Sequence, residues 1–224
     1  MTSRVRTNEE VLTEKSVRVR ECEKGDAPAL AALHIDNLSP RLGLALTEAY
    51  YKACLESGHH LFICAEDNGS IVGFVGMVCD RAKNIKLLLS GQALPALAYS
   101  ILRPSLLAEY VRHLWRWLRI RGLSRKVNLP RWEYRPVVVA PPYRNRGVAK
   151  LLLASADGVL DCKGVTQVFL QVAKTNVFAL RAYEKSGFRT RLESSSTTFM
   201  IKDLAFAKVL STRRSSQRLK SHIQ

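Results

Sequence analysis

Apolar and polar positions fall into two stretches of short elements, separated by some fifty residues of different character. Ser16-Val17-Arg18-Val19-Arg20 alternates with period two, the pattern of a half-buried first strand. Asp26 stands where a helix cap belongs, with Pro28 in the first turn and Leu30, Leu33 and His34 following at helical spacing. Ser39-Pro40 breaks that helix. A second helix over about 41–55 carries Leu42, Leu46, Ala49, Tyr50 and Ala53 on one stripe. Leu61 to Ala65 is an apolar run of strand length. Asp67-Asn68-Gly69-Ser70 is a hairpin turn, and Ile71 to Met77 returns antiparallel.

The second stretch opens on β-branched Val137, Val138 and Val139, stopped by Pro141-Pro142, which cannot continue a ladder. After a turn holding Gly147, residues Val148, Leu151, Leu152 and Val159 recur at helical spacing. A strand from Gln167 to Val172, then Asn176, a helix bearing Tyr183, and Gly187-Phe188 follow. In the intervening segment, 79–132, Pro95 and Pro104 cut the chain into two or three helices. The longest, about 105–121, aligns Leu107, Tyr110, Val111, Leu114, Trp117 and Leu118, with Arg112, Arg116 and Arg119 off the stripe. Such a stripe either packs over its own core or, being basic and amphipathic, lies at a membrane surface or on a partner.

Composition narrows the class. With 47% hydrophobic and 24% charged residues, 224 residues make a globular chain with a sizeable core. Cys22, Cys54, Cys64, Cys79 and Cys162 contain no CxxC pair, so neither a disulfide framework nor a zinc spacing is expected, and a reducing cytoplasm is the expected setting. The opening residues 1–15 are polar and mixed in charge, unlike a signal peptide, and no run of about 18 uncharged apolar residues predicts a spanning helix. The net charge of +16 is uneven: residues 1–78 balance at −3, 79–132 at +9, 133–201 at +5 and 202–224 at +5. The excess sits in the insertion and in a basic tail over 205–224. That tail, rich in Arg213, Arg214, Arg218 and Lys220, reads as a fraying end or as an arm for anionic lipid or nucleic acid. No nucleic-acid module is present, so nucleic acid is not the expected partner.

The most informative chemistry is at the strand-turn-helix junction. A Gly-containing turn before a helix aims free backbone N–H groups and the positive end of the helix dipole at one point, which suits phosphate. Gly147 allows close backbone approach, while Arg144, Arg146 and Lys150 add mobile positive charge. The turn lacks the Gly-Lys-Ser/Thr ending of a Walker loop and the three spaced glycines of a dinucleotide fingerprint. The pairs His59-His60 and the scattered cysteines make no metal site, and no Gly-x-Ser-x-Gly elbow exists.

Arg144-Asn145-Arg146-Gly147-Val148-Ala149 after a strand resembles the Arg/Gln-x-x-Gly-x-Gly/Ala signature of the GNAT N-acetyltransferase superfamily. The downstream strand, Asn176, Tyr183 helix and Gly187-Phe188 continue the likeness, which covers 16–78 by pattern and 133–201 by motif. The resemblance implies an α/β fold with a mixed, mostly antiparallel sheet splayed between strands 4 and 5, helices on both faces and a helical insertion at 79–132. Residues 16–204 would be one acyltransferase domain. It implies acetyl-coenzyme A as co-substrate, with no metal, and acyl transfer to an acceptor amine by direct attack.

By the same resemblance, the backbone of Val138 and Ala140 would pair with the pantetheine arm, and an N–H among Val138, Val139 and Ala140 would polarise the thioester carbonyl. Arg144 to Lys150, including Asn145, Val148 and Ala149, would hold the pyrophosphate. Asn176 would hold the arm, and Tyr183 would protonate the leaving thiolate. Glu133 is the candidate base; its competing reading is a strand-end carboxylate paired with Arg135 or Arg131. His34 is a second candidate base or acceptor contact, or a structural histidine. The basic insertion favours an anionic small-molecule acceptor. A nucleotide- or lipid-linked amino sugar is the first expectation, with a protein amine or a small amine as the alternative. A non-catalytic module binding anionic lipid or nucleic acid is the reading from another class. Contact with the inner face of a membrane through 105–121 is the companion expectation.

Overall fold

The computed structural model describes residues 17–38, 43–79 and 128–204. The expected 105–121 helix, the 1–15 segment and the 205–224 tail lie outside the described residues, as does most of the insertion.

Both stretches build one structure: the described strands form a single seven-stranded sheet in the order β1-β2-β3-β4-β5-β7-β6, and the helices pack on it. The strands are β1 (Arg18–Glu21), β2 (His60–Asp67), β3 (Ser70–Cys79), β4 (Trp132–Val139), β5 (Gln167–Ala173), β6 (Arg189–Glu193) and β7 (Thr197–Asp203). Only β4 and β5 are parallel; the other neighbours are antiparallel. The β2–β3 hairpin closes through Asn68 and Gly69, both with positive φ (50° and 79°), as a two-residue turn matched to strand twist requires.

Two cores flank the sheet. On one face α1 (Ala27–Asn37) and α2 (Leu44–Glu56) cover Phe62, Cys64, Phe74 and Val138. Asp26 does precede α1, but its carboxylate does not cap that helix; it accepts from Glu23 N and Arg20 instead. On α2, Ala53 is buried as expected, but the buried aromatic is one position from the expected one. Tyr51, not Tyr50, is fully buried, meeting Phe62 and Phe74 edge-on at 5.6 and 5.5 Å.

On the other face α3 (Val148–Cys162) buries Val148, Leu152, Leu153, Ala156 and Leu160, while Leu151, expected inside, is 42% exposed. Each fully buried leucine contributes roughly 1.5–3 kcal/mol. Tyr134 OH donates to Asp157 Oδ1 at 2.7 Å, and Lys202 Nζ donates to Asp157 Oδ2. This network pins α3 to β4 and β7. The last helix, α4 (Val177–Lys185), packs Ala179, Leu180 and Tyr183 against the same core.

Candidate active site

The sheet opens in the middle. The parallel ladder joins only Trp132↔Val168, Glu133↔Phe169 and Tyr134↔Leu170. Past that point β4 stays with β3 through Gly73↔Val139, and β5 stays with β7 through Ala173↔Thr197. Sequence explains the place of parting. Arg135 and Pro136 together oppose the single residue Gly76, a bulge that bends β4, and Pro136 has no N–H to donate across the gap. Gly76 must be glycine here, since a Cβ would fall inside van der Waals contact of Arg135 O and 2.8 Å from the Phe62 ring.

The bulge also reverses which backbone groups face the gap. Ala140 N donates to Val72 O on β3 at 2.8 Å. By antiparallel alternation, Val138 shares that orientation, and Val137 and Val139 turn their N–H and C=O groups away from β3. The exposed backbone edge expected of Val138 and Ala140 therefore belongs to Val137 and Val139. Val138 itself is 3% exposed, its side chain packed beneath α1 and α2.

At the top of the gap the chain makes a single 3₁₀ turn, Pro141–Tyr143, and then reaches Gly147, the N-cap of α3, at φ 82°. No side chain caps this helix, so the first-turn amides of Val148, Ala149 and Lys150 have no capping partner from their own N-cap residue. Asn145, also left-handed at φ 61°, and exposed Arg146 complete the turn. Arg144 departs from expectation. It is tethered: its Nε donates to Val139 O at 3.0 Å and its Nη2 to Asn37 Oδ1 at 2.6 Å. Tyr143 OH donates to Asp67 Oδ2 at 2.7 Å, tying the turn to the β2–β3 hairpin.

Glu133 sits at the vertex of the gap. Its side chain is 2% exposed and Oε1 accepts from Gln171 Nε2 at 2.6 Å. Tyr134 points into the α3 core, so Glu133 and Arg135 point to the α1/α2 face. Gln171 was not singled out by sequence; its one signal is a polar residue interrupting the apolar centre of β5.

Across that face, His34 Nδ1 and Tyr51 OH are hydrogen-bonded at 2.6 Å. Burial first, and then the charge of Arg135, hold His34 below the usual imidazole range. Burial likewise pushes the Tyr51 phenol up. Tyr183 is half-buried with its ring edge-on to Phe188 at 5.9 Å, and desolvation raises its phenol to about 12. Asn176 is the N-cap of α4: its Oδ1 accepts from Ala179 N at 3.1 Å.

Among the described residues, one group, Cys22, Asp26 and Cys64, brings possible metal-ligand atoms within 4.8 Å of one another. Arg20 already donates to both Asp26 oxygens, at 2.7 and 3.0 Å, so a guanidinium occupies the carboxylate. No helix among the described residues is long and apolar enough to cross a membrane.

A sheet parted between two parallel strands, before an uncapped helix N-terminus, is a frame that suits an acyltransferase. Residues 28–188 match the Acetyltransferase (GNAT) family, and the chain belongs to it. Solved structures share the fold. The PaiA N-acetyltransferase from Thermoplasma acidophilum, in complex with coenzyme A, has 14% identity and a TM-score of 0.51 over 84% of this chain and 99% of that chain. An N-acetyltransferase from Staphylococcus aureus has 16% identity and a TM-score of 0.54 over 84% and 98%. A GNAT-family acetyltransferase from Streptococcus pneumoniae has 20% identity and a TM-score of 0.51 over 84% and 98%. No curated protein matches the chain in sequence.

Proposed function

We propose that the protein transfers an acetyl or other short acyl group from acetyl-coenzyme A to an acceptor amine, by direct attack in a ternary complex. The observation that carries this reading is the parting of β4 from β5 directly below the uncapped N-terminus of α3. The pyrophosphate would meet the amides of Gly147 to Lys150 and the Arg146 side chain. Pantetheine would lie along β4 as an added strand, bonded by Val137 and Val139. An N–H on that edge would stabilise the carbonyl oxygen as it becomes an oxyanion.

The acceptor nitrogen attacks the thioester carbon, Glu133 takes the proton the nitrogen loses, and the C–S bond breaks. Tyr183 serves the leaving thiolate. With its phenol raised to about 12 it keeps its proton at neutral pH, against roughly 8.5 for a free thiol, so it acts chiefly as a hydrogen-bond donor to sulfur. Asn176, beyond capping α4, borders the arm. No side chain here is asked to form a covalent intermediate. As acceptor we favour an amino sugar linked to a nucleotide or lipid, on the strength of the +9 balance of residues 79–132.

Calorimetric titration of the purified protein with acetyl-coenzyme A tests the core of this reading. Binding in roughly the micromolar range is expected, and Gly147→Glu should remove it by setting a carboxylate against the pyrophosphate. Affinity unchanged in the variant, or none in the wild type, would overturn the placement.

A further inference from the structure

We propose that Arg135 is the residue that selects the acceptor, and that the acceptor carries an anionic group, carboxylate or phosphate, close to the amine that is acylated. The inference rests on the acyl-transfer reading above and adds the acceptor's chemistry to it.

Arg135 is placed by the same bulge that opens the cleft. It lies two residues beyond Glu133, on the same α1/α2 face, and is exposed. From there its charge reaches both His34 on α1 and Tyr51 on α2. Those two residues are hydrogen-bonded to each other, and a neutral imidazole beside the guanidinium leaves the local charge positive. Several other cations on the sheet or beside it are paired: Arg20 with Asp26 and Glu66, Lys202 with Asp157, Lys174 with Glu193, Arg189 with Asp203. Arg135 has no carboxylate partner among the described residues. The nearest acidic side chain along the strand, Glu133, is buried and accepts from Gln171.

A guanidinium with no carboxylate partner among the described residues, beside a candidate base, is a two-point site. Its planar fork can hold a carboxylate or phosphate bidentately, while the amine on the same molecule lies towards Glu133. The short span from residue 133 to 135 on one strand face, roughly 6–7 Å, sets the separation of amine and anion to a few bonds.

The test uses matched pairs of amines that differ only in the anion: glucosamine 6-phosphate against glucosamine, and glycine against glycinamide. Thiol release from acetyl-coenzyme A gives kcat/KM for each, and calorimetry gives acetyl-coenzyme A affinity separately. The wild type should favour the anionic member of at least one pair. Arg135→Ala should collapse that preference by roughly ten- to a hundredfold, the worth of a charge-assisted bond. Arg135→Lys should keep part of it, having the charge without the fork. Comparing variant with wild type cancels differences in intrinsic amine reactivity. The sugar pair responding would mark phosphate as the anion, and the glycine pair carboxylate. If acetyl-coenzyme A binds but anionic members gain nothing over neutral ones, including the case in which nothing in the panel is turned over, the role of Arg135 is overturned. Equal loss on both members in Arg135→Ala overturns it too. Failure to bind acetyl-coenzyme A would instead overturn the acyl-transfer reading itself.

Discussion

Gln171 Nε2 reaches across from β5 to Glu133 Oε1 on β4 at 2.6 Å, one step past the last rung of the parallel ladder. A side-chain rung thus replaces the backbone rung that the bulge and Pro136 remove, and it fixes the carboxylate at the vertex. If that carboxylate is the base, Glu133→Gln should cut kcat by roughly 10²- to 10⁴-fold. Acetyl-coenzyme A affinity should hold, because the amide keeps a carbonyl for Gln171. Turnover from thiol release and affinity from calorimetry separate the two; a parallel loss in both would make Glu133 a structural rung only.

Tyr183→Phe keeps the ring that packs on Phe188 and removes only the hydroxyl. Turnover should fall more than cofactor affinity does. Equal losses would assign Tyr183 to packing.

Gly76→Ala tests the origin of the cleft. The added methyl would strike Arg135 O and the Phe62 ring, so β4 must lose its bulge or the sheet must shift. A loss of roughly 1–3 kcal/mol of stability is expected from overpacking, read from the urea midpoint. A neutral substitution would mean that the two strands part for another reason.

His34 gives a pH dependence. Burial and Arg135 depress its folded-state pKa below the usual 6.5. Above 6.5 the ring is neutral in both states and nothing is lost. Below it, the unfolded chain takes a proton that the folded one resists, so stability falls as pH drops. The urea midpoint should therefore decline between about pH 6.5 and 5, and His34→Gln should flatten that limb. Arg135→Ala should flatten it partially. An unaltered slope in His34→Gln would remove the histidine from the account.

The turn before α3 was legible because its signals are local: Gly147 needs positive φ, Pro141-Pro142 ends a ladder, and an apolar period restarts at Val148. The hairpin at Asn68-Gly69 was legible for the same reason. What escaped depends on contacts between distant segments. Whether Tyr50 or Tyr51 turns inward on α2 is decided by Phe62 and Phe74, which fill the space beside only one of them. Leu151 and Leu153 are equally apolar, and the sheet's position decides which is buried. The bulge at Arg135-Pro136 shifts strand parity by one, which moved the cleft-facing backbone from Val138 and Ala140 to Val137 and Val139. Gln171 and Asn37 acquire meaning only from partners 38 and 107 residues away.

Arg144 links β4 to α1. One guanidinium bonds Val139 O, on the edge proposed for the donor's arm, and Asn37, the last residue of the helix that carries His34. Asn37 in turn donates to Leu33 O one turn back. A donor whose phosphates or amides draw on Arg144 would loosen the end of α1, and an acceptor that firms α1 would change how freely Arg144 can turn. Affinities for the two substrates would then depend on each other, by the same factor in either order of addition.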